Sequence, residues 1–207
     1  MGKVNIAVLI SGSGTNLQAV IDSINKDEIN GEIKLVISNK QNAFGLKRAE
    51  KERIKNIFLD PKNLNDENYD KKLIFELEKE SIDLIILAGY LKILTINIIK
   101  KYENKIINIH PSLIPCFSGK KYYGVKVHEE AIKYGVKVSG ATTHFVNDEP
   151  DGGPIIIQET VKVDYSDTAE SLQKKVLKVE HKILTESIRL FCEDKLEVVG
   201  RKVKIKQ

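Results

Sequence analysis

The sequence predicts an α/β protein with a mostly parallel, twisted sheet, helices on both of its faces and antiparallel additions near the C-terminus. In the first half of the 207-residue chain, short apolar runs rich in β-branched residues alternate with segments of helical periodicity. This alternation favours parallel strands joined by crossover helices. Neither an internal repeat nor a biased linker interrupts the pattern, which predicts a single domain over residues 1–207.

The alternation continues from the N-terminus to the middle of the chain. The run 4–10 is apolar and β-branched, and it enters a glycine-rich turn that opens a helix. The run 84–88 is wholly apolar and is closed by Gly89, as expected of a buried strand. The predicted strands are 4–10, 32–38, 56–59, 84–88 and 106–109, and the predicted helices are 16–24, 44–52, 67–80 and 96–102.

The pattern changes after Pro115. A loop rich in glycine and tyrosine leads to a short helix, and two strands then flank a tight loop at 147–154. A long helix follows, and Gly200 marks the turn of a terminal hairpin. The predicted helices of this half are 127–134 and 168–191, the predicted strands are 138–146 and 155–163, and the predicted hairpin is 196–206.

Composition argues against several classes of protein. Lysine and arginine number 33 against 29 acidic residues, a net charge of +4, and the two signs interleave along most of the chain. A nucleic-acid binder concentrates its basic residues on one face, so this pattern favours a small anionic ligand and no nucleic acid. Cys116 and Cys192 have no zinc or redox spacing, which predicts reduced thiols in a cytoplasmic protein. The run 4–10 is too short to span a bilayer, so we expect no membrane association.

The end of the predicted strand at 106–109 carries two polar side chains. Asn108 and His110 are two residues apart, so on a strand they project from the same face. Pro111 holds His110 in extended geometry. An amide beside an imidazole that titrates near neutral pH is suited to stabilising and protonating an oxyanion. The alternative is a buried pair that only satisfies backbone groups.

The turn 11–16 ends the first strand and opens the first helix. In open α/β sheets, ligands bind at the carboxyl ends of the strands. Glycines let the backbone approach an anion closely, and the free N–H groups of a helix start point toward it. This predicts a phosphate site, although the turn is neither a dinucleotide fingerprint nor a Walker loop, and a plain strand-to-helix turn is the alternative.

The loop 147–154 holds three carboxylates, Asp148, Glu149 and Asp151. Their spacing matches no calcium loop, and a solvated turn is the ordinary explanation for such a cluster. The alternative is that Asp151, between Pro150 and a glycine, points into a cleft and transfers protons, with His144 orienting it. No histidine and cysteine spacing in the chain matches a metal motif, so no metal is expected.

Four segments together resemble the family of phosphoribosylglycinamide formyltransferases, the folate-dependent transformylases of purine synthesis. The likeness runs from Val4 to about Leu190. The segments are VLISGSGTNLQ at 8–18, LAGYLKIL at 87–94, NIHPSLIP at 108–115 and DGGPI at 151–155. The resemblance implies a Rossmann-like formyltransferase fold and transfer of a formyl group from 10-formyltetrahydrofolate to the amine of glycinamide ribonucleotide, with no metal.

The resemblance also implies roles for residues. Asn108, His110 and Asp151 match the family's catalytic trio, and His144 would support Asp151. The implied ribonucleotide contacts are Gly14, Thr15, Asn16, Lys178 and Glu180, with the phosphate on the first three. The implied folate contacts are Leu91, Lys92, Ile93, Leu94, Asn108, Asn147, Asp148, Glu149, Pro150 and Asp151.

The chain departs from the family in a few places. Many members carry an arginine near the start of the third helix, where this chain has Asp66, and Lys92 stands where arginine is common. The loop 116–124 also differs from the commoner form. The reversed charge at Asp66 affects how the folate's glutamate tail is held.

Related enzymes and non-enzymes remain as alternatives. A formyltetrahydrofolate hydrolase, or another 10-formyltetrahydrofolate-dependent formyltransferase, would share the scaffold, but the chain length argues against their usual extra domains. A phosphate-ligand binding protein without catalysis would not be expected to combine Asn108, His110 and Asp151. Only small-molecule partners are expected, with the chain as a monomer or homodimer.

Overall fold

The computed structural model describes residues 2–62 and 64–206, and it has nine strands and six helices within them. The chain divides into two compact units, Met1–Asn108 and Ile109–Gln207. The predicted domain limits, Met1 and Gln207, lie outside the described residues. Within the described parts of the chain, no helix is long and apolar enough to cross a membrane.

The first unit is a parallel α/β arrangement. Its strands lie in the order β3-β2-β1-β4-β5, and each neighbouring pair is parallel. The elements are β1 Val4–Ile10, α1 Thr15–Asn25, β2 Gly31–Ser38, α2 Phe44–Lys51, β3 Asn56–Phe58, α3 Asp66–Lys79, β4 Leu84–Leu87, α4 Ile96–Lys101 and β5 Ile106–His110, whose last two residues belong to the second unit.

The core of the first unit lies on its central strands. From Ile6 to Ile10 every residue of β1 is fully buried, and so are the first three residues of β4. Strands that are covered on both faces bury every side chain, which is why these two segments are apolar runs without alternation. The helices turn Leu17, Leu73 and Leu77 toward this core.

The second unit is antiparallel where the first is parallel. Its strands lie in the order β6-β7-β9-β8; the pairs β6–β7 and β8–β9 are antiparallel, and β7 pairs with β9 in parallel. The elements are α5 Val125–Tyr134, β6 Val138–Phe145, β7 Ile155–Lys162, α6 Ala169–Cys192, β8 Leu196–Val199 and β9 Lys202–Ile205.

Two local features shape the second unit. The pairing of β6 with β7 shifts register between Thr143 and His144, so that His144 lies opposite Ile155. Such a bulge redirects the side chains beside it. The long helix α6 begins with a capping box, in which the side chains of Thr168 and Ser171 each bind the other's backbone N–H.

The predicted α/β class is confirmed, as are the helices and strands that the sequence indicated. The bounds differ by a residue or two: α5 begins at Val125 rather than 127, and β3 ends at Phe58 rather than 59. Helix and strand ends fray, so deviations of this size are expected.

Candidate active site

A partly buried carboxylate, that of Asp151, lies between two histidines in the second unit. Oδ2 of Asp151 is 3.5 Å from Nδ1 of His110, and Oδ1 of Asp151 is 3.7 Å from Nε2 of His144. The three side chains are 16%, 6% and 2% exposed, respectively. Because water reaches them so little, their charges interact strongly with one another.

Local backbone structure brings these three groups together. His110 ends β5, and His144 of β6 lies opposite the bulge in β7. Asp151 has a φ of 56°, an uncommon left-handed conformation that is often found at functional sites. The turn around it is tight, because a Cβ on Gly153 would collide with the carbonyl oxygen of Phe145. A glycine at 153 is therefore required for this turn.

Backbone carbonyls determine which ring nitrogens carry protons. Nε2 of His110 lies 2.9 Å from the oxygen of Phe117, and Nδ1 of His144 lies 2.8 Å from the oxygen of Phe145. A carbonyl only accepts, so these two nitrogens are the donors. The remaining nitrogens, Nδ1 of His110 and Nε2 of His144, face Asp151. A proton on Nδ1 of His110 makes that ring an imidazolium, which the Asp151 carboxylate beside it stabilises.

The surroundings shift the pKa values of both Asp151 and His110. Burial raises the pKa of the Asp151 carboxyl, but the His144 hydrogen bond, the His110 charge and the N–H of Gly119 outweigh it and hold this pKa below its usual value. Burial lowers the pKa of His110, and the Asp151 charge opposes the decrease. The carboxylate is therefore ionised at neutral pH, while His110 holds its proton loosely, as suits proton transfer.

The loop 116–124 completes this cluster, which sequence reasoning missed. The N–H of Gly119 donates to Oδ2 of Asp151 at 2.7 Å, and the Phe117 carbonyl accepts from His110. The Phe117 ring packs edge-on against Tyr122 and Tyr134, with centroids 6.1 Å away in each case. The aromatic and glycine content of the loop was the only sequence signal, and it did not indicate which backbone groups would face inward.

The glycine-rich turn lies in the first unit. Gly14 is the N-cap of α1 with a φ of 72°, and no side chain caps the helix. A Cβ on Gly14 would lie 2.6 Å from the Cα of Gly45, so only glycine fits this approach of α2. No side chain caps this helix start, and the positive end of a helix favours an anion.

The predicted folate segment, Leu91 to Leu94, follows β4 in the same unit. Leu91 and Ile93 are 52% and 59% exposed, which offers an apolar surface. The N–H of Leu91 donates to the Ser11 hydroxyl at 2.8 Å, and that hydroxyl donates to Asn39 at 2.6 Å. These bonds link the segment to the glycine-rich turn.

The charge reversal at Asp66 has a structural consequence. Nζ of Lys92 lies 2.6 Å from a carboxylate oxygen of Asp66 and 4.8 Å from the ring centre of Tyr69. The Lys92 side chain is 19% exposed and that of Asp66 is 72% exposed. The lysine that stands where arginine is common is therefore already neutralised by an internal partner.

The other predicted residues occupy separate places. Asn108 is half-buried on β5, two residues before His110. On α6, Lys178 is exposed and Glu180 is buried. Residues 147–150 form the approach to the Asp151 turn, where Gly152 N–H donates to the Glu149 carbonyl. Within the described residues, no three His, Cys, Asp or Glu side chains are grouped to hold a metal ion.

Comparison with known proteins follows this geometry. Residues 4–188 match the family model described as formyl transferase. The chain belongs to this family. Its four motifs and the His110, His144 and Asp151 side chains all lie within the matched range.

Curated relatives differ in length. The chain is 39% identical to phosphoribosylglycinamide formyltransferase of Escherichia coli over 94% of this chain and 90% of that one. It is 42% identical to the trifunctional purine biosynthetic protein adenosine-3 of Gallus gallus, over 95% of this chain. The chain spans only 19% of that longer protein.

Solved structures agree with the family assignment. The structure of glycinamide ribonucleotide transformylase 1 from Symbiobacterium toebii is similar, with a TM-score of 0.94, 40% identity and coverage of 99% of this chain and 95% of that one. A formyltetrahydrofolate deformylase from Pseudomonas syringae is similar at a TM-score of 0.90 and 29% identity, over 99% of this chain and 66% of that one.

Proposed function

We propose that the chain transfers the formyl group of 10-formyltetrahydrofolate to the amine of glycinamide ribonucleotide, a step of purine synthesis. The observation that supports this most directly is the partly buried Asp151 carboxylate between two imidazoles. Formyl transfer from one nitrogen to another needs a proton to leave the first amine and reach the second, and this cluster is built to carry a proton. The E. coli relative, which matches over nearly its whole length, bears the name of this activity.

In the first step, the ribonucleotide amine attacks the formyl carbon and forms a C–N bond. The carbonyl oxygen becomes an oxyanion, which Asn108 and a protonated His110 would stabilise. Nε2 of His110 donates to the Phe117 carbonyl in the structure, and we propose that the formyl oxygen replaces that carbonyl. Loss of one such donor typically raises the barrier by ~3–4 kcal/mol.

In the second step, the proton moves and the intermediate collapses. The attacking nitrogen loses its proton, the folate nitrogen gains one, and the bond between the formyl carbon and the folate nitrogen breaks. Asp151 would relay this proton, directly or through a water molecule, while His144 and the Gly119 N–H hold the carboxylate in place. The carboxylate also stabilises the His110 imidazolium as the oxyanion develops.

The ribonucleotide phosphate would bind the N–H groups of Gly14, Thr15 and Asn16. These groups lie at an uncapped helix start, which favours an anion. Lys178 and Glu180 would contact the same substrate. Glu180 is suited to the ribose hydroxyls or to the glycyl amine because it accepts hydrogen bonds.

The folate would lie against Leu91, Lys92, Ile93 and Leu94 and the backbone of Asn147, Asp148, Glu149, Pro150 and Asp151. A flat heterocycle is bound by apolar walls with a few polar partners, and the exposed Leu91 and Ile93 offer such a wall. No metal enters the proposal, because the formyl donor is already activated. We further propose a single domain, a cytoplasmic location and a monomer or homodimer.

The test is the consumption of 10-formyltetrahydrofolate, followed by absorbance, with and without glycinamide ribonucleotide. Consumption that depends on the ribonucleotide is the expected result. Consumption without it would mean hydrolysis, the reaction named for the P. syringae protein, and would contradict the proposal. No consumption under either condition would leave a phosphate-ligand binding protein and would also contradict it.

A further inference from the structure

Arg48, on helix α2, contacts the glycine-rich turn 11–16. Its Nε donates to the carbonyl of Ser13 at 2.9 Å, and its Nη1 donates to Oε1 of Gln18 at 3.1 Å. The guanidinium carbon lies 5.1 Å from the ring centre of Phe44. Two hydrogen bonds and a ring contact leave the guanidinium little freedom, so it is a rigid support for the turn.

The planarity of the peptide bond gives this contact a consequence for the ligand. The Ser13 carbonyl and the Gly14 N–H belong to one trans peptide, so they point in opposite directions. A donor that holds the carbonyl thereby directs the N–H away from α2. The preceding peptide is held in the same way, because the N–H of Gly45 donates to the Gly12 carbonyl at 3.1 Å and so directs the Ser13 N–H.

These two directed N–H groups are available to a ligand. Neither the Ser13 nor the Gly14 N–H donates to a protein acceptor within the described part of the chain. The guanidinium charge also polarises the Ser13–Gly14 peptide, because a carbonyl that accepts from a cation makes the N–H at the other end a stronger donor.

We infer that Arg48 is a positioning residue for the ribonucleotide phosphate: it orients and polarises the Gly14 N–H without touching the substrate. The inference rests on the proposed function, which places the phosphate on Gly14, Thr15 and Asn16. It assigns a role in substrate binding to a residue of α2, whereas the predicted contacts to the phosphate all come from the turn and from α1.

The test compares Arg48→Ala and Arg48→Lys with Lys47→Ala. Lys47 is exposed on the same helix, so its variant removes the same charge without touching the turn. Steady-state rates are measured with each substrate varied in turn, together with the melting temperature of the unliganded protein. Wild-type turnover with the ribonucleotide is measured first, since its absence would refute the proposed function rather than the role of Arg48.

We expect Arg48→Ala to raise the KM for the ribonucleotide about tenfold or more, because the misaligned Gly14 N–H would lose its charge-assisted hydrogen bond to the phosphate. The KM for folate and the kcat should stay close to wild type, as should every parameter of Lys47→Ala. Arg48→Lys should resemble Arg48→Ala, because an ammonium is not a planar fork that holds both acceptors.

Three results would overturn the inference. They are an unchanged ribonucleotide KM in Arg48→Ala, wild-type behaviour of Arg48→Lys, and a fall of kcat together with a rise of both KM values and a lower melting temperature. The last would indicate a purely structural role. If Arg48→Ala does not fold, Gln18→Ala removes one of the two acceptors, and a ribonucleotide KM equal to wild type in both Gln18→Ala and Arg48→Lys would overturn the inference as well.

Discussion

The charge of Asp151 can be removed without changing its backbone conformation. Its φ of 56° is tolerated better by Asn than by most residues, so Asp151→Asn preserves the turn while removing the charge. We expect kcat to fall by about 10²–10⁴-fold, the usual contribution of general acid–base catalysis, while the ribonucleotide still binds. Steady-state kinetics and calorimetric titration with the ribonucleotide measure the two effects. Near wild-type turnover would rule out the proton-relay role.

The same variant makes a prediction about the pKa of His110. The Asp151 charge raises this pKa against the effect of burial, so its removal should lower the pKa further. A titration of the His110 ring protons by NMR compares Asp151→Asn with the wild type and with Asp194→Asn, which changes an exposed carboxylate. An unchanged or higher His110 pKa in Asp151→Asn would contradict the coupling.

Asp66 supplies a second prediction at this scale. Its ion pair with Lys92 neutralises a cation of the proposed folate surface. Asp66→Asn should free Lys92 for the folate's glutamate tail and lower the KM for a polyglutamylated folate. An exposed pair contributes about 0–1 kcal/mol, so the change should not exceed about fivefold. Glu67→Gln, which removes an exposed neighbouring carboxylate, serves as the control. A KM that is unchanged or higher would show that Lys92 does not meet the tail.

The sequence was informative about side chains of the site and uninformative about its backbone groups. His144 and Asp151 were proposed as partners from their types and spacing, and the structure places them 3.7 Å apart; their catalytic role stays a prediction. The Phe117 carbonyl and the Gly119 N–H could not be predicted, because every residue has these groups and only the loop conformation selects them. The Lys92–Asp66 pair was missed since it depends on how α3 lies beside the segment after β4.

At the scale of elements, α6 offers a prediction about stability. Thr168 caps its N-terminus, and the reciprocal bonds with Ser171 satisfy two backbone N–H groups. Thr168→Ala should lower the free energy of unfolding by about 1 kcal/mol and leave both KM values unchanged. Denaturant titration measures the change. Thr185→Ala is the control: Thr185 lies inside the helix and bonds the His181 carbonyl, so its loss should have little effect. Equal stability of the two variants would contradict the capping argument.

Elements were predicted well where their burial leaves a pattern. The run 4–10 is a strand because five of its seven residues are buried, and residues 157–162 of β7 alternate between partly buried and exposed. The bulge opposite His144 leaves no such pattern, because it depends on the register that two strands adopt together. The sequence therefore predicted the strand that carries His144 but not the irregularity beside it.

At the scale of the whole molecule, a buried histidine makes stability depend on pH. His128 on α5 is 1% exposed, and its Nδ1 has no hydrogen-bond partner in the described chain. Burial, and secondarily the charge of His110, lower the pKa of His128 to about 4. In the unfolded chain this pKa is about 6.5, so between these values the unfolded state binds the extra proton. The neutral His128 therefore contributes its full share to the free energy of unfolding above about pH 6.5, and this contribution is lost as the pH falls toward 4.

The effect of His128 on stability is large enough to be measured. The difference of pKa corresponds to at most about 3 kcal/mol of unfolding free energy. Denaturant titrations between pH 4 and 7 should show a smaller loss of stability in His128→Gln than in the wild type. The slope of unfolding free energy against pH is compared between the two proteins, which removes the contribution of other groups such as Asp151. Identical slopes would contradict the assignment to His128.

The alternation of strands and helices predicted the α/β class because a parallel sheet requires a crossover between strands. The division into the units Met1–Asn108 and Ile109–Gln207 left no mark in composition, since no linker separates them. It follows the change from parallel to antiparallel pairing, which the sequence indicated only as a change of pattern after Pro115.

The central claim, formyl transfer to an amine, is tested most directly by following the formyl carbon. The protein is incubated with 10-formyltetrahydrofolate labelled with ¹³C in the formyl group and with glycinamide ribonucleotide, and the products are analysed by mass spectrometry and ¹³C NMR. We predict that the label appears in a formamide on the ribonucleotide, and that Asp151→Asn slows its appearance while Asp194→Asn does not. Label recovered as free formate, or left on the folate, would contradict the account.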